Sequence, residues 1–325
     1  MTLIEKIRNN AKQNLKTIVL PEGEEIRIIK AAEFLYREKL VTPVLIGNED
    51  YIKRIANEND CSIEGIDIKD PLKSKDTPIF ADEYYELRKK KGATPELANE
   101  TLKNTLYYGA FMVRNNQAAG AVAGSINTTG DVLRAAIQVV GVAPGIKAVS
   151  SCFIMVMSDG REYTFGDCAV IPNPEVDQLA SIAMSSALTH KGLVGEEPFI
   201  AMLSFSTKGS AQHEDVDKVI AATNKVKDLK PDLKIDGELQ FDAALIDKIG
   251  AKKAPGSPVA GKANVFIFPD LDSGNIGYKI AQRLGNAEAV GPIVQGLKKP
   301  YNDLSRGCSV EDVINVACIC SVLSE

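Results

Sequence analysis

The stretch KKPYNDLSRGCSVEDVINVACICSVLS, residues 298–324, puts carboxylates, a hydroxyl, a guanidinium and a thiol into one short run. Asp303, Ser305, Arg306 and Cys308 stand in a polar loop. That loop feeds a helix with no charge from Asp312 to Leu323, the pattern of a helix buried in a core or at a subunit interface. Loops at such positions commonly carry binding and catalytic groups. Asp312 fits two roles. It can be a general base, or it can close a capping box with Ser309, in which its carboxylate returns to the cap N–H. Capping is the commoner use of that spacing. His190 and His213 are both far from Cys308 in sequence, which favours a bystander thiol over a nucleophile.

A second loop, Gly124-Ser-Ile-Asn-Thr-Thr-Gly-Asp131, joins a small-residue strand to a helix start. Free backbone N–H groups there would favour an anion, with Thr128 and Thr129 as extra donors and Arg134 as a charged fork. The alternative is that Thr128 or Thr129 is an N-cap and Arg134 a surface side chain. Only 10 of the 38 basic residues are arginine, and none lies between Arg161 and Arg283, so lysine supplies most of the solvating charge. Arginine is then reserved for places where its planar fork matters. Arg134, Arg283 and Arg306 lie near loop–helix junctions, and Arg88 heads a basic run, RKKKG. Asp270 and Asp272 could pair on Mg²⁺ or serve a turn and helix cap. Gly256–Lys262 matches a phosphate-loop spacing but lacks the following Ser/Thr, and a strand follows where a helix is needed.

The elements that position these loops follow from periodicity. Apolar runs at 16–23, 42–48, 65–69, 118–125, 198–205, 234–241, 263–269 and 288–295 alternate with helical patterns such as 24–39, 129–141, 175–191, 242–250 and 310–323. This alternation predicts an α/β fold with mostly parallel sheets covered by helices on both faces. Residues 152–172 read as two strands joined at Asp159-Gly160, a hairpin signal. The pattern shifts near residue 146. The expected division is a first domain of 1–146 plus 295–325, with 147–294 inserted.

Composition limits the function. A chain of 325 residues, 45% hydrophobic and 25% charged, has room for about two domains. Its net charge of −5 argues against a nucleic-acid or anionic-membrane binder. No apolar run reaches membrane-spanning length, and the six cysteines form no CxxC pair. These features predict a cytoplasmic, reduced protein without a Cys/His zinc site.

The stretch AQRLGNAEAVGPIVQGLKKPYNDLSRGCSVED (281–312) resembles the C-terminal signature of the phosphate acetyltransferase (phosphotransacetylase) family. IVLPEGEEIRIIKAAE (18–33) resembles that family's N-terminal strand–helix signature, and NTTGDVLRAAIQ (127–138) its Ser/Thr-rich loop with a following arginine. Asn127 and Ala135 stand where the family often has His and Pro. The resemblance covers essentially the whole chain. It implies two αβα domains of the isocitrate/isopropylmalate dehydrogenase-like type with an interdomain cleft, a homodimer, and no permanently bound cofactor or metal. The implied reaction is reversible acetyl transfer between acetyl phosphate and CoA. By motif position, Asp312 would be the base for the CoA thiol, with Ser305 and Arg306 lining the acetyl phosphate site. Arg88, Arg134, Arg283, Thr128, Thr129 and Asn302 would be further substrate-binding positions. An Asp of pKa about 3.9 facing a thiol of about 8.5 leaves about 6 kcal/mol against proton transfer. The resemblance therefore predicts a desolvated Asp312 with arginine close to the thiolate. Two neighbouring readings are a phosphate butyryltransferase and a metal- and NAD(P)-dependent hydroxyacid dehydrogenase using Asp270 and Asp272.

Overall fold

Runs of β-branched and small residues form the strands, and the amphipathic segments between them form the covering helices. The computed structural model describes residues 1–324. The chain opens with α1 (Leu3–Gln13), β1 (Thr17–Leu20), α2 (Ile26–Arg37), β2 (Thr42–Ile46), α3 (Glu49–Glu58) and β3 (Asp67–Lys69). It continues through α4 (Asp76–Arg88), α5 (Pro95–Thr101), α6 (Thr105–Arg114), β4 (Gly120–Ala123) and α7 (Thr129–Ala135). Next come β5 (Ser150–Val156), β6 (Glu162–Gly166), α8 (Val176–Leu193), β7 (Phe199–Leu203), α9 (Glu214–Leu229) and β8 (Lys234–Leu239). The remaining elements are α10 (Phe241–Leu245), α11 (Asp247–Lys253), β9 (Val265–Ile267), α12 (Leu271–Arg283), β10 (Glu288–Gln295), β11 (Tyr301–Asp303) and α13 (Val310–Val322). Two units result. One is Met1–Gly141 with the chain from Leu297 onward, and the other is Val142–Gly296.

The first unit holds a fully parallel sheet in the order β11-β4-β1-β2-β3. Phe80, Tyr108, Phe111 and Tyr301 fill one face beneath α4 and α6. Strand residues alternate between faces, so Asn302 points the other way, towards α13. That helix packs on α1, α2, β1 and β4. Its residues Val313, Ile314, Ala317, Ile319 and Cys320 are buried. Of the two readings of this charge-free helix, the core is the one realised.

The second unit has the sheet order β10-β5-β6-β9-β7-β8. β10, β5 and β6 pair antiparallel, and the remaining neighbours are parallel. The β5–β6 hairpin turns at Gly160 with φ +87°, where glycine avoids a Cβ clash. Ala201 and Phe266 face one core while Ile200, Met202, Val265 and Ile267 face the other, so both faces of this sheet are covered. The fold is α/β, with two αβα sandwiches.

Three elements differ from the sequence reading. Residues 301–303, read as loop, form an edge strand parallel to β4. The helix expected over 129–141 is α-helical only to Ala135 and continues as a π-helical turn to Val140. The helix expected over 242–250 is two short helices, α10 and α11.

Candidate active site

The strands β11, β4 and β1 are neighbours and all parallel, so their C-terminal ends lie side by side on one edge of the sheet. In open α/β sheets this is the edge from which loops present ligand-binding groups. Three loops leave it: Pro21–Glu25 after β1, Gly124–Thr128 after β4, and Leu304–Ser309 after β11.

Glu22 fixes the second of these loops. Its carboxylate is almost fully buried. It accepts hydrogen bonds from Ser125 N (2.7 Å), Ser125 Oγ (2.5 Å), Ile126 N (3.2 Å), Asn127 N (2.9 Å) and Asn127 Nδ2 (2.8 Å). Burial pushes the Glu22 carboxyl up, but the hydrogen bonds from Ser125, Asn127 and Ile126 outweigh it and hold the group below the usual carboxylate range. This corrects the expectation of free N–H groups in the 124–127 loop. Those donors already bind an anion, and the anion belongs to the protein.

Arg27, near the start of α2, ties the loops together. Its Nε meets Glu25 Oε1 at 2.6 Å. Nη1 donates to the carbonyls of Arg306 (2.9 Å) and Cys308 (2.8 Å), and Nη2 to the carbonyl of Ser125 (3.0 Å). One planar fork thereby fixes the spacing between the 124–128 and 304–309 loops. Cys308 is buried, and burial raises its thiol pKa despite the nearby Arg27. That is the bystander reading.

Asp303 ends β11 directly opposite Ala123 of β4. It is 6% exposed, and its Oδ2 accepts the hydroxyl of Thr129 at 2.6 Å. Among the described residues its Oδ1 has no hydrogen-bond partner. Gly124 lies against it with φ +107°, and a Cβ added there would stand 2.3 Å from Asp303 Oδ1. Only glycine permits this approach. Burial pushes the Asp303 carboxyl up to about 6, with the charge of Glu22 adding to the rise, while the Thr129 hydroxyl and the Leu304 backbone pull it down.

The remaining predicted residues fall into three groups. Ser305, Arg306 and Asp312 are exposed on the third loop and the start of α13. Asp312 Oδ2 accepts from Ser309 N (2.8 Å) and Ser309 Oγ (2.9 Å), and Ser309 Oγ accepts from Asp312 N (3.1 Å). The capping box is therefore formed. The expectation of a desolvated Asp312 is not met, because a first-turn position on a helix end faces outward. Thr128 caps α7 through Asp131 N (3.2 Å), and Arg134 pairs with Asp131 at 2.7 Å. Arg88 and Arg134 both lie close enough to the half-buried Tyr107 phenol to lower its pKa, although burial and Tyr84 raise it more. These two predicted anion-binding arginines thus share one neighbourhood, marked by a tyrosine that the sequence reading passed over.

Other elements carry Asn302 and Arg283. Asn302 is fully buried on the α13 face of the sheet, against the Cys320 thiol. Strand alternation turns it away from the Thr129–Asp303 side, which corrects its assignment as a substrate contact. Arg283 is the last residue of α12, in the second unit. Asp270 caps α12 through Ser273 N at 2.8 Å, the cap alternative to a Mg²⁺ ligand.

This architecture is widely shared among known proteins. A phosphate acetyltransferase from Thermoanaerobacterium thermosaccharolyticum is 52% identical over 330 residues, covering 100% of both chains. Another from Acetivibrio thermocellus is 50% identical over 330 residues, covering 100% of this chain and 99% of that one. The crystal structure of a phosphotransacetylase from Streptococcus pyogenes superposes with a TM-score of 0.95 at 42% identity, covering 99% and 98% of the two chains. The family model described as phosphate acetyl/butaryl transferase matches residues 2–321, which takes in both units and all three loops. The chain belongs to the phosphate acetyl/butaryl transferase family.

Proposed function

We propose that this chain is a phosphate acetyltransferase, moving an acetyl group reversibly between acetyl phosphate and CoA. The observation that carries this reading is an identity of half or more to phosphate acetyltransferases over 100% of this chain and 99–100% of theirs. In the forward direction Asp312 takes the CoA thiol proton, and the sulfur attacks the acetyl carbon to form the S–C bond. The Ser305 hydroxyl and Arg306 stabilise the tetrahedral oxyanion. The C–O bond then breaks, and phosphate leaves with the bonding pair. Arg88, Arg134 and Arg283, with Thr128 and Thr129, neutralise the acetyl phosphate and the leaving phosphate. Asp131 occupies Arg134 in the free protein, so substrate phosphate replaces an intrahelical partner there. No resident cofactor enters these steps.

The two units serve as the two domains of this enzyme, and the protein acts in the cytoplasm as a homodimer. Support for the dimer comes from α12, where Ile276, Ile280 and Leu284 are exposed at fourfold spacing, an apolar stripe suited to a partner surface. Support for the compartment comes from six unpaired cysteines, and among the described residues no helix is long and apolar enough to cross a membrane.

Acyl-chain preference separates the acetyl reading from the butyryl one. With acetyl, propionyl and butyryl phosphate assayed in parallel, kcat/KM is expected to fall from acetyl to butyryl by at least tenfold. The reverse order would make the chain a butyryltransferase, and NAD(P)-linked turnover that chelator abolishes would make it a dehydrogenase.

A further inference from the structure

The pair Thr129–Asp303 joins the hydroxyl of an exposed residue at the start of α7 to a buried carboxyl beneath it. Thr129 is exposed, yet its Oγ1 donates to Asp303 Oδ2 at 2.6 Å, and Asp303 Oδ1 has no hydrogen-bond partner among the described residues. One hydroxyl proton cannot serve both the carboxylate below and an anion above. While Asp303 is ionised it accepts that proton, and Thr129 presents only lone pairs to solvent. Once Asp303 is protonated, its own O–H can donate to Thr129 Oγ1, and the threonine O–H turns outward.

We propose that Asp303 is a positioning residue that sets the direction of the Thr129 hydroxyl, so that acetyl phosphate is bound best when Asp303 carries a proton. The proposal rests on the assignment of Thr129 to the substrate-binding group. The surroundings suit a shared proton. The Glu22 carboxylate opposes a second negative charge at Asp303. The cations on packed elements are engaged elsewhere: Arg27 by Glu25 and three carbonyls, and Arg134 by Asp131. From α13, Asp312 is held by Ser309, and Glu311 pairs with Arg8. β4 supplies no titratable side chain, and Tyr301 on β11 is fully buried, with its hydroxyl donating to the Leu106 carbonyl at 3.0 Å. The raised pKa of Asp303 puts the change of state in the range where the enzyme can be assayed.

The test follows KM for acetyl phosphate and kcat from pH 5.5 to 8 in the wild type, Asp303→Asn, Thr129→Val and Thr129→Ser. An asparagine amide, unlike the carboxylate, carries a donor at every pH, so it can give Thr129 Oγ1 the hydrogen bond that the protonated acid gives. Ionisation of the substrate is common to all four proteins and cancels in their ratios. The expected result is a ratio of wild-type to Asp303→Asn KM that starts near one at pH 5.5 and rises about tenfold by pH 8. The kcat ratio should stay flat. Thr129→Ser should keep the wild-type profile. Thr129→Val should bind weakly throughout and lose the pH-dependent component.

If Thr129→Val weakens binding while Asp303→Asn follows the wild-type profile, the proton switch is wrong and the substrate role of Thr129 stands. If Thr129→Val binds acetyl phosphate as the wild type does, Thr129 is no substrate contact and the switch falls with it. Should Asp303→Asn fail to fold, the Thr129 pair decides alone: identical pH profiles in the serine and valine variants overturn the proposal.

Discussion

Glu22→Ala is expected to destabilise the first unit by about 3–5 kcal/mol and to remove most activity. Its carboxylate satisfies three backbone N–H groups and two side chains of the 125–127 loop, and it is buried. Each buried donor left unpaired costs about 1–3 kcal/mol, and alanine strands several together. Circular dichroism melts should show an early transition, with loss of acyl transfer at temperatures where the rest of the chain is folded. Glu22 and Asp303 also give opposite pH signatures. The pKa of Glu22 is depressed on folding, so its contribution is present above the unfolded value of about 4.3 and lost as pH falls through the folded one. The pKa of Asp303 is raised to about 6, so its contribution is present below about pH 4 and lost as pH rises through 6. Glu22→Gln should flatten the acid limb of a stability profile, and Asp303→Asn the limb between pH 4 and 6.

Asp312→Asn carries the largest expected effect on turnover. General-base catalysis is worth about 10²- to 10⁴-fold, and kcat should fall within that range. The amide oxygen can still accept from Ser309, so the cost in stability should stay below about 1 kcal/mol. A large kcat loss with an unchanged melt separates base from cap, because for a pure cap Asp312→Asn would leave both kcat and the melt near the wild type. Asp312 is exposed in the free protein, and an ordinary Asp facing a thiol leaves an acidity gap of about 6 kcal/mol for catalysis to close. Bound substrate and arginine must close it, by excluding water from the carboxylate and stabilising the thiolate. A variant keeping wild-type kcat would leave Asp312 as a cap alone.

The alternation of apolar runs and amphipathic segments made the α/β class and most elements legible, and the charge-free 310–323 segment made α13's burial legible. What stayed hidden depends on which strands become neighbours. Residues 301–303 are Tyr, Asn and Asp after a proline, types that read as a turn. They become a strand because β4 offers an open edge and α13 covers the result. Glu22 and Arg27 read as charges around a helix start. Their burial arises only when the ends of β11, β4 and β1 meet, since their partners on the other two loops lie about 100 or more residues away. The cap at Thr128 and the box at Ser309–Asp312 are local, and both were visible as alternatives. Whether the N–H groups of residues 125–127 are free for an anion was not legible, because Glu22, which takes them, lies about a hundred residues away.

Acyl transfer itself is tested most directly by mixing the folded wild-type chain with acetyl phosphate and CoA, then following thioester and phosphate together. The account predicts protein-dependent formation of both in a one-to-one ratio, unaffected by chelator, and the reverse reaction from acetyl-CoA and phosphate. Phosphate release without thioester, or no turnover of any acyl phosphate by protein with an intact melting transition, would contradict it.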